Sequence, residues 1–260
     1  MQQGQRKDRG RLWFITAAFV ALVLLAWELA SRRDAAPAYF LGPVSIASTA
    51  IERWLHGDVA GPAWRSASRA YAGFLIGGAI GVALGLLSGI SRQVRGLLDV
   101  PQAFVHAIPK ISLFPAVAVW LGFSDASRVL IIALSCFFPA YLNAMNGALG
   151  INPRYLWLSR NIGVGPVRTF LHVVFPASLV RTMVGLRISL MVAFILMVAT
   201  EVAGHSDGLG SMIMLAYQDG DYRLMYAGIL VIAVMGYLSN AVLERCAGWA
   251  CRGQNLEFAG

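Results

Sequence analysis

The 260-residue sequence has few charged residues: 13% are charged, whereas 58% are hydrophobic. Acidic residues are the scarcer class, with 13 Asp and Glu against 21 Lys and Arg. The mean hydropathy is +0.65, and a soluble globular domain carries more charge than this. The shortage of charge therefore excludes an ordinary soluble domain and predicts a membrane protein.

Residues typical of catalytic and metal sites are also scarce. The sequence has three cysteines and four histidines, no HExxH pair and no GxxxxGK[ST] loop to cradle nucleotide phosphates. No nucleophile and base pair can be assigned to facing spans. These absences disfavour an intramembrane enzyme and predict no metal or cofactor. Because the sequence has no such phosphate-binding loop, any ATP hydrolysis is expected in another subunit.

Long apolar runs predict membrane-spanning helices, because about 20 apolar residues cross the hydrocarbon core. Five runs lie at 12–30, about 70–90, about 128–149, about 182–203 and about 224–243. A sixth segment, about 100–122, is interrupted by three prolines and a lysine and predicts a discontinuous helix. The predicted fold is all-α and polytopic, with six transmembrane helices, one of them discontinuous.

Basic residues are concentrated in the N-terminal arm, the 91–98 turn and the 150–181 connection. The positive-inside rule predicts that these three segments are cytoplasmic, so with six spans both the N- and C-termini are cytoplasmic. The net charge of +8 indicates a lipid bilayer with anionic headgroups, or an acidic protein, as partner. Nothing in the sequence resembles a nucleic-acid-binding motif.

Glycine recurs every four residues along the second predicted span. This spacing places Gly73, Gly77, Gly81, Gly85 and Gly89 on one face of a helix. Because glycine has no side chain, such a face permits close contact with another helix. The pattern predicts helix packing rather than a ligand groove.

The 150–181 connection is longer than the roughly 2–8 residues that join antiparallel helices, and such length is typical of a functional loop. Its first part predicts a helix that ends at Gly163, and a second short helix is predicted to end near Pro176. From composition alone, a basic loop held against the lipid surface is the alternative.

Two ionisable residues lie within or close to the apolar runs. Glu201 is interpreted as part of a pathway wall or gate at a dimer seam, or alternatively as an interfacial carboxylate that bonds Thr200 or glycine-rich backbone. Lys110 is the only cation that the predicted spans bury. It is interpreted as a contact for an anion, or alternatively as a lysine that snorkels to the headgroups.

The spacing of residues in the connection resembles a known motif. Gly163 is followed ten residues later by Val173, then by Phe175 and Pro176. This is similar to the EAA, three residues, G, nine residues, I-x-L-P motif of permease subunits in ATP-binding-cassette importers. The stretch 100–154 likewise resembles the aliphatic sulfonate, taurine and nitrate importer permeases, as does GLRISLMVAFILMVATEVAGHSDGLGSMI, 185–213.

The resemblance implies an assembly in the bacterial inner membrane. Two copies of such a subunit form the pathway as a homodimer, with two cytoplasmic ATPases beneath and a periplasmic binding protein above. A small anion, such as a sulfonate, taurine or nitrate, is the implied substrate. The chain then divides into an arm with the first span and an external segment (1–64), the permease domain (65–245) and a cytoplasmic tail (246–260).

In this family the motif helix docks in a cleft of the ATPase. The resemblance therefore implies coupling roles for Arg154, Trp157, Ser159, Arg160, Gly163 and Pro176. Trp157 stands where the family usually has glutamate, and Ser159 where it has alanine. Either the ATPase cleft has adapted to the aromatic residue or the subunit couples weakly.

A self-sufficient secondary transporter is the alternative function. Such a protein is expected to show inverted repeats or several buried ionisable groups. The sequence shows neither, and a docking loop would have no purpose in it.

Overall fold

A computed structural model describes residues 2–33, 37–204 and 207–251, without the side chains of 2–13 and of Arg160. All regular structure in these ranges is helical, which confirms the all-α class. The helices are α1 (Gln2–Ser31), α2 (Pro43–Leu55), α3 (Ala60–Ile90), α4 (Arg92–Ala107), α5 (Phe114–Leu121), α6 (Asp125–Leu149), α7 (Pro153–Asn161), α8 (Pro166–Thr169), α9 (Phe175–Gly204), α10 (Leu209–Gln218) and α11 (Tyr222–Ala250).

The membrane-spanning helices agree in number with the prediction. Five stretches of the described chain are long and apolar enough to cross a bilayer: Phe14–Ser31, Ala60–Ile90, Asp125–Leu149, Pro166–Gly204 and Tyr222–Ala250. α4 and the segment Lys110–Leu121 are bent by 86° relative to each other, and they complete the six when the bent pair is counted as one span. The predicted break in this segment is thus present, while the orientation of the termini stays a prediction.

The described parts of the chain form two compact units. One comprises Met1–Ala60 with Met212–Val231, and the other Gly61–Ser211 with Ile232–Gly260. In the first unit, the backbone N–H of Val44 donates to Glu28 Oε2 at 3.1 Å and ties the start of α2 to the end of α1. The domain boundaries predicted at residues 64 and 245 stay predictions.

The glycine stripe of α3 lies against α6. A Cβ atom built on Gly77 would overlap the backbone of Ala133, and one on Gly81 would overlap the carbonyl oxygen of Phe137. The other three stripe positions, Gly73, Gly85 and Gly89, would likewise meet atoms of α6. The two helix backbones therefore approach so closely along this face that only glycine fits.

α6 also packs against α9 through paired polar and apolar contacts. The Ser189 hydroxyl donates to the carbonyl of Cys136 at 2.7 Å, and the Cys136 thiol donates to the carbonyl of Ser189 at 3.2 Å. Ile132, Leu190 and Met197 lie in the same buried cluster. α6 is thus packed between α3 and α9 and forms the centre of the second unit.

The predicted helix end near Pro176 is wrong. α8 continues through a π-helical turn, Phe170–Val174, directly into α9, so Pro166–Gly204 is one uninterrupted helical stretch. In a regular α-helix, proline lacks a donor and its ring collides with the carbonyl four residues earlier. The wider turn, in which the Phe175 N–H donates to the carbonyl of Phe170, relieves that collision just before Pro176.

Candidate functional site

α7 begins and ends with local hydrogen bonds that its sequence supplies. The Asn152 side chain accepts from the backbone N–H of Arg154 at 3.0 Å, and Pro153 occupies the first helical position. At the other end, Gly163 has a φ of +75° and the Val164 N–H donates to the carbonyl of Ser159 at 2.9 Å. A left-handed glycine there ends the helix and turns the chain toward α8.

One face of α7 is anchored in the second unit. Leu156 packs against a buried cluster that contains Leu86, Ala144 and Val174. Ser159 is buried beside it, and its hydroxyl donates to the carbonyl of Tyr155 at 2.9 Å. A small residue is required at this position because it lies against the body of the protein.

The opposite face of α7 is apolar and exposed. Trp157 exposes 63% of its surface, and Tyr155, Leu158 and Ile162 are similarly exposed. Arg154 is also exposed, and Arg160 belongs to α7 although its side chain lies outside the described part. Large aromatic and aliphatic side chains next to arginine form the composition typical of protein interfaces. We call Tyr155, Trp157, Leu158 and Ile162 the α7 face.

A second group of predicted site residues lies at the other end of the bundle. Glu201 is completely buried near the end of α9. Its carboxylate pairs with Arg69 Nη1 at 2.8 Å and accepts from the Ser66 hydroxyl at 2.8 and 2.9 Å. The Gly210 N–H donates to it at 2.9 Å. The carboxylate therefore faces protein, and its predicted place on the pathway stays a prediction.

The expected bond from Thr200 to Glu201 is absent from the hydrogen bonds described for that hydroxyl. Thr200 Oγ1 donates instead to the carbonyls of Leu196 and Met197, at 2.8 and 3.0 Å. The bond from glycine-rich backbone is present, through Gly210. Of the two alternative partners, glycine-rich backbone is therefore the one that binds Glu201, although the carboxylate is buried and not interfacial.

Arg69 binds carboxylates from three different segments. Besides Glu201, its Nε donates to Asp125 Oδ1 at 2.7 Å and its Nη2 donates to Asp207 Oδ1 at 2.5 Å. Arg69 itself is only 4% exposed. The hydrogen bond from Arg69 holds the pKa of the Asp207 carboxyl below its usual value of 3.8. All three carboxylates are thus held by a single buried guanidinium.

Arg128 is the second buried arginine in this region. Its Nη1 donates to the carbonyl of Phe123 and its Nη2 to the carbonyl of Gly204, both at 3.2 Å. It therefore ties the start of α6 to the last residue of α9. The orphan carbonyl at the end of α9 gains a charged donor through this contact.

The expectation that Lys110 is the only cation buried in a span is wrong, because Arg69 and Arg128 are far more buried. Lys110 is partly exposed; its Nζ donates to the carbonyl of His106 at 2.6 Å and lies 4.7 Å from the Phe138 ring centroid. The predicted runs began at residues 70 and 128. Both arginines therefore lie at the edges of the predicted runs, where an interfacial position is the normal expectation. The only sequence signal for their burial is the presence of acidic residues near the ends of other predicted spans.

Comparisons with known proteins agree with the fold. Residues 81–250 match the family model described as "Binding-protein-dependent transport system inner membrane component". The putative aliphatic sulfonates transport permease protein SsuC of Bacillus subtilis is 32% identical over 92% of this chain and 90% of its own length. The SsuC protein of Escherichia coli is 30% identical over 90% and 89%.

A third relative, the taurine transport system permease protein TauC of Escherichia coli, is 28% identical over 65% of this chain and 63% of its own. The fold is similar to a chain of the MetNI methionine ABC transporter in an inward-facing conformation. That match has a TM-score of 0.62 and 19% identity, and it covers 75% of this chain and 96% of the other. The matched family region includes α7, Glu201 and most of the glycine stripe. The chain therefore belongs to the family of inner membrane components of binding-protein-dependent transport systems.

Proposed function

We propose that this chain is the permease subunit of an ATP-driven importer and that the α7 face is where a separate ATPase docks. The observation that carries the proposal is the division of α7 into two faces. Leu156 and Ser159 fix the helix to the second unit, while Trp157 and its neighbours remain exposed. A short helix held in this way transmits a rigid-body movement that a flexible loop would absorb.

Two copies of the chain form the pathway in this proposal, with a periplasmic binding protein on the side opposite α7. The substrate is a small anion such as a sulfonate, taurine or nitrate, in keeping with the names of the SsuC and TauC relatives. Lys110 lies at the bend between α4 and α5, and in this proposal it is the residue that contacts the anion. The purified chain alone is expected to hydrolyse no ATP, and hydrolysis should appear only with the ATPase present.

Trp157 is expected to be a hot spot of the ATPase interface. Replacing this exposed indole by alanine should weaken ATPase binding by about 2 kcal/mol, or roughly 30-fold, because a buried tryptophan often dominates an interface. Trp157→Glu should weaken it too, since a carboxylate would be desolvated in an apolar cleft. Binding is measured by titrating labelled ATPase onto the reconstituted permease.

Trp64 is the matched control, because it is an equally exposed indole at the opposite end of the bundle. Trp64→Ala should leave ATPase binding unchanged. Tighter binding by Trp157→Glu than by the parent chain would show that the cleft is built for the glutamate usual in the family. Unchanged binding by both Trp157 variants would show that Trp157 lies outside the ATPase interface.

Gly163→Val is expected to insert normally but to lose ATPase binding. No atom lies within 4 Å of a Cβ built on Gly163, so the effect arises from the backbone alone. A β-branched residue at a φ of +75° costs on the order of 1–2 kcal/mol and re-aims the chain after α7. Co-purification with the ATPase is the measurement.

Gly165 provides the control for Gly163. It has a φ of −64° and equally open surroundings, so Gly165→Val should retain the ATPase. Asparagine tolerates the left-handed region better than valine does, and Gly163→Asn should therefore be intermediate. If Gly163→Val co-purified with the ATPase as well as the parent chain does, the left-handed turn at Gly163 would not determine the orientation of α7.

The orientation is tested at Cys246, which is exposed, whereas Cys136 and Cys251 are buried. Burial raises the pKa of the Cys251 thiol and further lowers its reactivity. A membrane-impermeant maleimide should label Cys246 in inverted vesicles and leave it unlabelled in intact spheroplasts. Cys246→Ser is the control for specificity, and labelling of Cys246 in spheroplasts would place the C-terminus outside.

A further inference from the structure

The docking proposal leaves the charge cluster around Arg69 without a role. The cluster consists of three arginines and three carboxylates in the described part of the second unit: Arg65, Arg69, Arg128, Asp125, Glu201 and Asp207. These residues come from the first third of α3, the start of α6, the end of α9 and the loop that follows α9. The cluster therefore lies at the end of the bundle that is opposite α7.

The inner contacts of the cluster are enclosed and mutually satisfied. Ser66 donates its hydroxyl to Glu201 and accepts the backbone N–H of Leu209 at 2.8 Å. The Ser211 hydroxyl donates to the carbonyl of Glu201 at 2.6 Å. The first residues of α10 are thus held by the same carboxylate-bearing residue that binds Arg69.

Two glycines, Gly208 and Gly210, allow the backbone that follows α9 to lie next to Glu201. A Cβ built on Gly208 would overlap the Glu201 carboxylate, and one on Gly210 would meet the carbonyl of Val198 and Cβ of Glu201. The backbone at Gly208 and Gly210 therefore lies directly against Glu201. Moving this backbone away would uncover the ion pair between Arg69 and Glu201. The attraction between the two charges offsets their lost hydration only while they remain in contact.

The discontinuous span differs from this enclosed cluster. None of the residues of α4, all within the described chain, is buried. Val119 and Trp120 of α5 are 82% and 81% exposed. Gly122, directly after α5, has a φ of +72° with no atom within 4 Å of a Cβ built there. Phe114 and Val117 of α5 are nevertheless buried and pack with Ile131 of α6. The part of the span that lacks buried residues is therefore α4, and few packing contacts are typical of a segment that moves at low cost.

We propose that Arg69 is a positioning residue that keeps α3, α6, α9 and the loop after α9 closed as one rigid block throughout the transport cycle. Conformational change during the cycle is then left to segments outside the block, such as α4. This inference rests on the proposed function, because it concerns a cycle driven by an ATPase. Its test must therefore report separately on ATPase docking and on the block.

Hydrogen exchange of the wild-type permease, assembled with its ATPase in lipid nanodiscs, makes both measurements in one sample. The amides of Leu209 and Gly210, which bond Ser66 and Glu201, are compared without nucleotide and with ATP trapped by vanadate. If the block stays closed, both amides should exchange slowly in both states, and the two rates for each amide should agree within about twofold. Exchange that is tenfold or more faster in one state than in the other would overturn the proposal.

Amides of α7 report on docking in the same spectra. Their exchange should slow when the ATPase is added, whatever happens at Leu209. The permease without its ATPase is measured as the reference, and the block predicts slow exchange at Leu209 and Gly210 there too. Unchanged exchange in α7 would therefore count against the proposed function and not against the block. The two failures are thus distinguishable.

A reversible crosslink supplies a second test. Arg65 and Asp207 are ion-paired at 2.9 Å on the exposed side of the cluster. In a background without native cysteines, Arg65→Cys with Asp207→Cys is joined by a short methanethiosulfonate crosslinker. ATP hydrolysis by the reconstituted complex should change less than twofold on crosslinking. A tenfold loss that dithiothreitol restores would show that the block opens in each cycle.

Discussion

Arg69→Ala is expected to destabilise the folded protein by about 3–5 kcal/mol, because Glu201 would remain buried without its charged partner. Glu201 has no exposed surface, so water cannot replace the guanidinium. Asp125 and Asp207 would lose the same partner, and like charges would then face one another. The measurement is the midpoint of thermal unfolding in detergent, with folded yield as a second readout.

Arg65→Ala is the matched control. Arg65 precedes Arg69 by one helical turn and pairs with the same Asp207, but both side chains of that pair are about half exposed. An exposed pair contributes only about 0–1 kcal/mol. The contrast between the two variants therefore isolates burial as the cause.

Removing both buried charges together should destabilise the folded protein less than removing one of them. In Arg69→Met with Glu201→Leu, apolar side chains of similar volume replace the pair, and such exchanges are often close to neutral. Ser66 and the Gly210 N–H would still lose their acceptor, which limits the recovery. Equal stability of Arg69→Ala and the parent chain would show that water reaches Glu201 in the variant.

Gly77→Ala is expected to destabilise the bundle by about 1–3 kcal/mol or more. The new methyl group would overlap the backbone carbonyl of Ala133, and backbone of a packed helix does not move aside as a flexible side chain does. α3 and α6 would have to separate along the whole stripe. The loss is measured as resistance of the folded protein to SDS in mixed micelles.

Gly78→Ala is the control, one residue further along the same helix. Its Cβ would meet the tip of the flexible Leu186 side chain at 3.2 Å and a ring atom of Phe74 at an ordinary 3.9 Å. Alanine also favours a helix over glycine by up to about 1 kcal/mol. This variant should therefore be neutral or slightly stabilised. If both alanine variants behaved alike, the contact between α3 and α6 would be looser than the structure has it.

The spans could be predicted from the sequence because each depends on local composition. The length of an apolar run and the four-residue spacing of glycine are readable without knowledge of the partner helix. The discontinuous span was predicted in the same way, from prolines within an apolar run. Gly163 adopts a left-handed conformation, as a glycine that ends a helix commonly does.

The charge cluster could not be predicted because its members are distant in the sequence. Arg69 is separated from Asp125 by 56 residues and from Glu201 by 132. An arginine at the edge of an apolar run is normally interfacial, and only the tertiary fold shows that this one is enclosed. Sequence reasoning selected Glu201 correctly as unusual but could not identify its partner.

Pro176 shows how a sound local rule fails. Proline normally ends a helix, and the prediction applied that rule directly. The chain instead places a π turn before the proline, so the helical stretch continues from Pro166 to Gly204. No residue pattern known to us distinguishes these two solutions in advance.

The π turn has a consequence for the evolution of the chain length. A turn of this kind accommodates one residue more than an α-helical turn, and each residue of an α-helix rotates the chain by about 100°. Losing one residue between Phe170 and Val174 would restore ordinary helical geometry and leave α8 on the same side of α9, because the extra residue is contained within one turn. The same loss from a regular part of α9 would rotate α8 by about 100°. Relatives that lack this turn should show a single-residue gap here in a structure-based alignment, even where neighbouring side chains are freely exchanged.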